Sequence, residues 1–137
     1  MNAIDTKVWI YRDDTRDPVK QAKAAQLIGT IRPLVLPWQV GCEFVAAARK
    51  LQPLGFSEDD AWDALEDMQV MADVVLLPVL DLWSETRSLQ ARYSLSFWDA
   101  LLVATCLRGG FAVLYTEDLG APRTIDALSL VNPFTGP

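Results

Sequence analysis

The chain contains no histidine. Histidine triads, an imidazole general base and the common zinc sites are thereby excluded. Any catalysis falls to carboxylates, hydroxyls, lysine, tyrosine or cysteine. Cysteine is scarce, with Cys42 and Cys106 alone. Each lies in an apolar stretch of helical pattern, so both are expected as buried free thiols rather than a disulfide. No apolar run reaches the roughly 18 residues of a membrane span. Asp5 stands where a secretory leader would be apolar. Repeats, low-complexity tracts and linkers are also missing. A single cytoplasmic domain with no membrane partner is the expectation.

What is present is enough to fold. The chain has 137 residues, 51% of them hydrophobic, which suffices for a core and argues against disorder. The net charge of −6 disfavours a nucleic-acid partner. A carboxylate-bound cation would reverse the local field and remove that objection.

Short apolar runs at residues 2–4, 34–36, 74–77, 112–115 and 128–131 read as strands. Their near-continuous apolar character suits a parallel sheet covered on both faces. Helical patterns lie between them at 19–31, 39–51, 58–71, 82–93 and 97–108. Ser57 and Asp60 have the spacing of a capping box, and Gly109–Gly110 marks a helix stop. Strands alternating with helices predict a three-layer α/β/α sandwich with a mainly parallel, five-stranded central sheet. Such folds bind ligands beyond the C-terminal ends of their strands.

Four acids fall where that site should be. Asp5 directly follows the first strand, and Asp118 follows the fourth. Glu43 lies early in the helix after the second strand. Its helical neighbours are Gln39, Val40, Ala46 and Ala47, with no cation in reach. Asp99 opens "FWDALLVATCLRGG" among apolar residues and also lacks a helical partner. Each acid has an ordinary explanation: Asp5 as an N-cap, Glu43 on a partly exposed face, Asp99 in a capping box with Ser96, Asp118 in a turn. If the four converge, each pair at about 5 Å repels by roughly 3 kcal/mol at an effective dielectric of about 20. Such a cluster calls for a hard cation, Mg²⁺ or Mn²⁺. The other acids read as solvated: those of "SEDDAWDALEDM" lie opposite Ala61, Trp62, Leu65 and Met68, and Asp13, Asp14 and Asp17 lie in a loop. The five tryptophans suit a core or an interface.

The segments "AIDTKVWIY", "CEFVAAARK", "YSLSFWDALLVATCLRGG", "LYTEDL" and "LSLVNPF", in that order, resemble the PIN-domain family, specifically the VapC-type ribonuclease toxins of toxin–antitoxin pairs. The resemblance covers the whole chain. It implies a Mg²⁺-dependent endoribonuclease, with Mn²⁺ as an alternative ion, leaving 5′-phosphate and 3′-hydroxyl ends. Asp5, Glu43, Asp99 and Asp118 would be the metal-binding carboxylates, with Thr6 and Thr116 as supporting hydroxyls. It also implies an RNA substrate, a cognate antitoxin protein and a homodimer. The sequence departs from the family where Lys7 replaces the usual Asn, and Glu117 is a rival for the last acid. Lys7 motivates an alternative, a catalytically weakened binding module. Phosphatases of the haloacid-dehalogenase type need a second Asp at the position of Lys7. Response-regulator receivers need an Asp closing the third strand, where "VVLLPVLD" reaches Pro78 first.

Overall fold

The structure, a computed structural model, describes residues 1–135. Strand β1 (Asn2–Ile4) runs into helix α1 (Thr6–Asp13), followed by α2 (Pro18–Thr30), β2 (Val35–Pro37) and α3 (Trp38–Ala47). A 3₁₀ segment (Ala48–Leu54) leads to α4 (Glu58–Met71) and β3 (Val74–Leu76). Helices α5 (Leu82–Tyr93) and α6 (Phe97–Arg108) precede β4 (Val113–Tyr115), β5 (Arg123–Ile125) and β6 (Leu128–Val131).

The α/β sandwich is present, with a different sheet count. The main sheet has four strands in the order β1-β4-β6-β5. Its β1–β4 and β4–β6 pairs are parallel, and β5 closes one edge antiparallel to β6. Strands β2 and β3 form a separate parallel pair. A single bridge, Asn2 to Leu34, joins that pair to β1. The expected five-stranded sheet is therefore four strands plus two. Strand β5 carries exposed Arg123 and Thr124, so it lacks the apolar pattern that marks the others.

Local chemistry sets the boundaries. Asp17 caps α2 through the Lys20 N–H at 3.1 Å, with Pro18 at the first helical position. Ser57 and Asp60 form a complete reciprocal capping box, at 3.0 and 2.8 Å. The helix expected over 39–51 changes to 3₁₀ at Ala48. Pro53 has no N–H to extend an α-helical ladder. Gly110 ends α6 at φ +71°, a conformation that favours glycine.

Helices α2 and α3 each pack on α1, α4 packs on α3, and α5 packs on α6. One core lies between helices and sheet, with Ile4, Trp9, Phe44, Met68 and Leu114 fully enclosed. Trp9 is the tryptophan inside. Trp38, Trp62, Trp83 and Trp98 are exposed, including Trp62 from the expected apolar stripe. Asp14 is buried rather than solvated, because Arg16 grips its carboxylate through two donors at 2.9 and 2.8 Å. No helix among the described residues is long and apolar enough to cross a membrane.

Candidate active site

Strands β1, β2 and β4 run in one direction, so their C-terminal ends lie on the same side. Asp5 follows β1 directly. Thr116, Glu117 and Asp118 follow β4. Helix α3 starts where β2 ends, which puts Glu43 in its second turn. Asp99 lies in the first turn of α6.

Asp5 has two roles at once. It caps α1, accepting the Thr6 N–H at 2.7 Å on one carboxylate oxygen. Its other oxygen accepts the Thr116 hydroxyl at 2.8 Å. Thr116 is fully buried, and its hydroxyl oxygen accepts the Asp118 N–H at 3.1 Å. One hydroxyl thus joins the first acid to the backbone of the last. Burial pushes the Asp5 carboxyl above its ordinary pKa, the two hydrogen bonds oppose this, and the charges of Asp118 and Asp99 add to the rise.

Glu43 accepts two donors on the same oxygen, the Thr6 hydroxyl at 3.3 Å and the Gln39 amide at 3.2 Å. Burial raises its pKa, and the charges of Asp5 and Asp99 raise it further. Asp99 has the backbone of a capping box but only half of its bonds. Its N–H donates to Ser96 Oγ at 3.3 Å, while its carboxylate accepts no hydrogen bond among the described residues. The contrast with Asp60, whose carboxylate closes its own box, leaves that of Asp99 unengaged by the helix end.

Lys7 lies on α1 because the chain turns helical at Thr6. Its ammonium reaches Asp118 at 3.3 Å and Glu117 at 3.4 Å. Burial alone would lower the Lys7 pKa, but these two carboxylates hold it above the ordinary value. Glu117 is otherwise committed: the Tyr11 hydroxyl donates to it, and Lys20 pairs with it at 2.8 Å. Burial works to raise the Glu117 pKa, and these donors outweigh it, leaving the carboxyl below its usual range. Asp118 is half-exposed, with Lys7 as its cationic contact.

The charges of Asp99 and Asp118 thus act on Asp5, and those of Asp5 and Asp99 on Glu43, which brings the four acids to one end of the sheet. Their donor set is all oxygen, which suits a hard divalent cation. Among the described residues, no three His, Cys, Asp or Glu side chains are drawn together as a finished metal cage. The fit is one of chemistry and neighbourhood. Cys106 is a buried thiol as expected, with its pKa raised by burial. Cys42 is instead exposed. Val40, Phe44 and Ala48 take the core face of this segment and turn Cys42 outward, into a cleft of about 450 Å³ lined by Trp38, Gln39, Glu43, Trp98 and Thr105. Gln39 was visible in the sequence one helical turn before Glu43. Its second bond, to the Trp98 carbonyl at 2.9 Å, joins residues far apart in the chain and left no sequence signal.

A mainly parallel sheet with carboxylates beyond its strand ends defines an α/β protein with an acidic strand-end face. The chain belongs to the PIN domain family, whose profile matches residues 3–126. Its fold is similar to that of VapC20 from Mycobacterium tuberculosis, a sarcin–ricin-loop-cleaving toxin. That likeness has a TM-score of 0.68 at 19% identity, over 86% of this chain and 90% of that one. A toxin–antitoxin complex from Klebsiella pneumoniae gives a TM-score of 0.72 at 19% identity, over 97% and 98% of the two chains. FitAcB from Neisseria gonorrhoeae gives 0.70 at 16% identity, over 98% and 99%. No curated protein sequence gives a significant match.

Proposed function

We propose that the protein is an endoribonuclease toxin of a toxin–antitoxin pair that works with Mg²⁺ or Mn²⁺ in the cytoplasm. Asp5, Glu43, Asp99 and Asp118 are the ligands in this reading. The observation that carries it is that Asp5 and Glu43 take hydroxyl and amide donors rather than cations, with the charge of Asp99 acting on both.

Held by these four carboxylates, a divalent ion would supply activation of water and neutralisation of charge on the phosphate. The chain's own residues orient the carboxylates. Thr116 holds Asp5 and the Asp118 backbone together, and Thr6 holds both Asp5 and Glu43. Lys7, half-exposed beside Asp118, can leave it for an RNA phosphate oxygen as a mobile point charge. The family membership and the toxin names of similar folds support this reading. A cognate antitoxin would cover the exposed apolar surface.

Purified protein incubated with RNA and Mg²⁺ should cleave internally, and chelation or Asp99→Asn should stop it. Cleavage that persists in chelator and in the variant would defeat this reading.

The Lys7–Asp118 pair favours a second reading, a binding module whose site is neutralised by its own ammonium. Titration with Mn²⁺ separates the two, since such a module takes up no ion specifically.

A further inference from the structure

Helices α3 and α6 carry two of the four acids, Glu43 and Asp99. The cleft of about 450 Å³ lies between them, lined by Cys42 and Ala46 on one side and Leu101 and Thr105 on the other. One side chain crosses the gap. The Gln39 amide nitrogen donates to Glu43 Oε1 at 3.2 Å and to the Trp98 main-chain oxygen at 2.9 Å. It is the only hydrogen bond joining α3 to α6 among the described residues, and it ends on the residue preceding Asp99.

We propose that Gln39 is a positioning residue that sets the spacing and aim of Glu43 and Asp99 as ligands of one divalent ion. The inference rests on the proposed reading of those two acids. Both partners of the amide nitrogen are acceptors, so the nitrogen must face them. The amide oxygen is left buried without a hydrogen-bond partner. An amide oxygen buried without a partner is an unfavourable group to keep for packing alone. Its geometric product is a carboxylate held on one oxygen. Glu43 Oε1 takes both the Gln39 and Thr6 donors, and Oε2 takes none among the described residues. Partners of this kind orient a ligand without contacting the ion, and their loss commonly weakens metal binding tenfold to a hundredfold.

Gln39→Met keeps the length of the side chain and removes the donor. Calorimetric titration with Mn²⁺ should show roughly tenfold or greater weakening relative to the parent protein, with thermal unfolding within a few degrees of it. In single-turnover RNA cleavage at saturating Mn²⁺, KM for RNA should stay the same. The metal-free parent supplies an independent measurement by NMR. The Gln39 side-chain amide protons should exchange slowly, and Gln39→Met should shift the resonances of Glu43 and of the first turn of α6. Unchanged Mn²⁺ affinity in the variant, or freely exchanging Gln39 amide protons in the parent, would overturn the proposal. A parent protein that binds no Mn²⁺ strikes the metal reading itself, and the NMR result then decides whether Gln39 ties the two helices.

Discussion

Lys7 places its ammonium 3.3 Å from the Asp118 carboxylate, while Asp5 and Glu43 take hydroxyl and amide donors in place of a cation. A tethered positive charge there offsets part of the repulsion among the carboxylates. It also competes with any divalent ion that uses Asp118. Lys7→Asn removes the competitor and keeps a small polar side chain. Calorimetry should show tighter Mg²⁺ or Mn²⁺ binding in the variant, and cleavage should rise at low metal. Equal or weaker affinity in Lys7→Asn would show that the ammonium does not compete.

Asp99 should be dispensable for the fold. Its carboxylate does not close the box at Ser96, and its charge raises the pKa of both Asp5 and Glu43. Asp99→Asn should therefore unfold at the same temperature as the parent or higher, with cleavage lost. Ser57→Ala is the internal comparison, because it breaks a complete box and should cost about 1 kcal/mol. Denaturant melts of the two variants test the contrast.

Thr116→Val should be costly for its size. The hydroxyl is fully buried, donates to Asp5 and accepts from Asp118, so both partners lose a bond in the variant. Leaving such groups unsatisfied costs roughly 1–3 kcal/mol. Urea unfolding should show that loss, and metal affinity should fall with it. A change below about 0.5 kcal/mol would mean that the hydroxyl is not holding the two acids.

The raised carboxyls give the metal-free protein a pH signature. Burial, then neighbouring charge, holds Asp5 and Glu43 above their ordinary values of 3.8 and 4.5. A carboxyl with a raised folded-state pKa binds its proton more tightly in the folded chain. Its contribution is complete below the unfolded value and is lost as pH rises through the folded value. Asp14, Glu117 and Asp126 have lowered values and act in the opposite sense. Their contribution is present above the unfolded values and lost as pH falls through the folded ones. Asp5→Asn isolates the first effect. In chelator, its unfolding temperature should gain on that of the parent as pH rises from about 4 toward neutrality. A constant difference would exclude a raised Asp5.

Val74, Leu77, Val79, Leu80 and Trp83 are exposed along β3 and the start of α5, at the open edge of the two-stranded pair. An apolar edge of this kind favours self-association. Sedimentation at micromolar concentration should show a dimer, and Leu80→Asp should shift it to monomer. A monomeric parent protein would remove the homodimer.

Much of this protein was legible as one-dimensional pattern. Helices over 58–71, 82–93 and 97–108 follow from apolar spacing, Ser caps and the Gly109–Gly110 stop, all of them local effects. Glu43 and Asp99 stood out because neither has a cation within one helical turn, and Asp5 and Asp118 because they follow apolar strands directly, all of which a sequence shows. Other features depended on contacts between distant segments. Helix α1 begins at Thr6 because Asp5 caps it, and that turn sends Lys7 to Asp118 rather than to Asp5. The split of the sheet into four strands and two follows from a β1–β2 contact of a single bridge, and no apolar pattern records how many bridges form. Cys42 faces a cleft because Val40, Phe44 and Ala48 compete for the core face. Gln39 reaches the Trp98 carbonyl across a gap that exists only after α3 and α6 have docked. Side-chain chemistry selected the candidates, and helix placement decided which hydroxyl, amide or ammonium each acid meets, because hydrogen bonds depend on ångström distances that residue spacing along a chain does not encode.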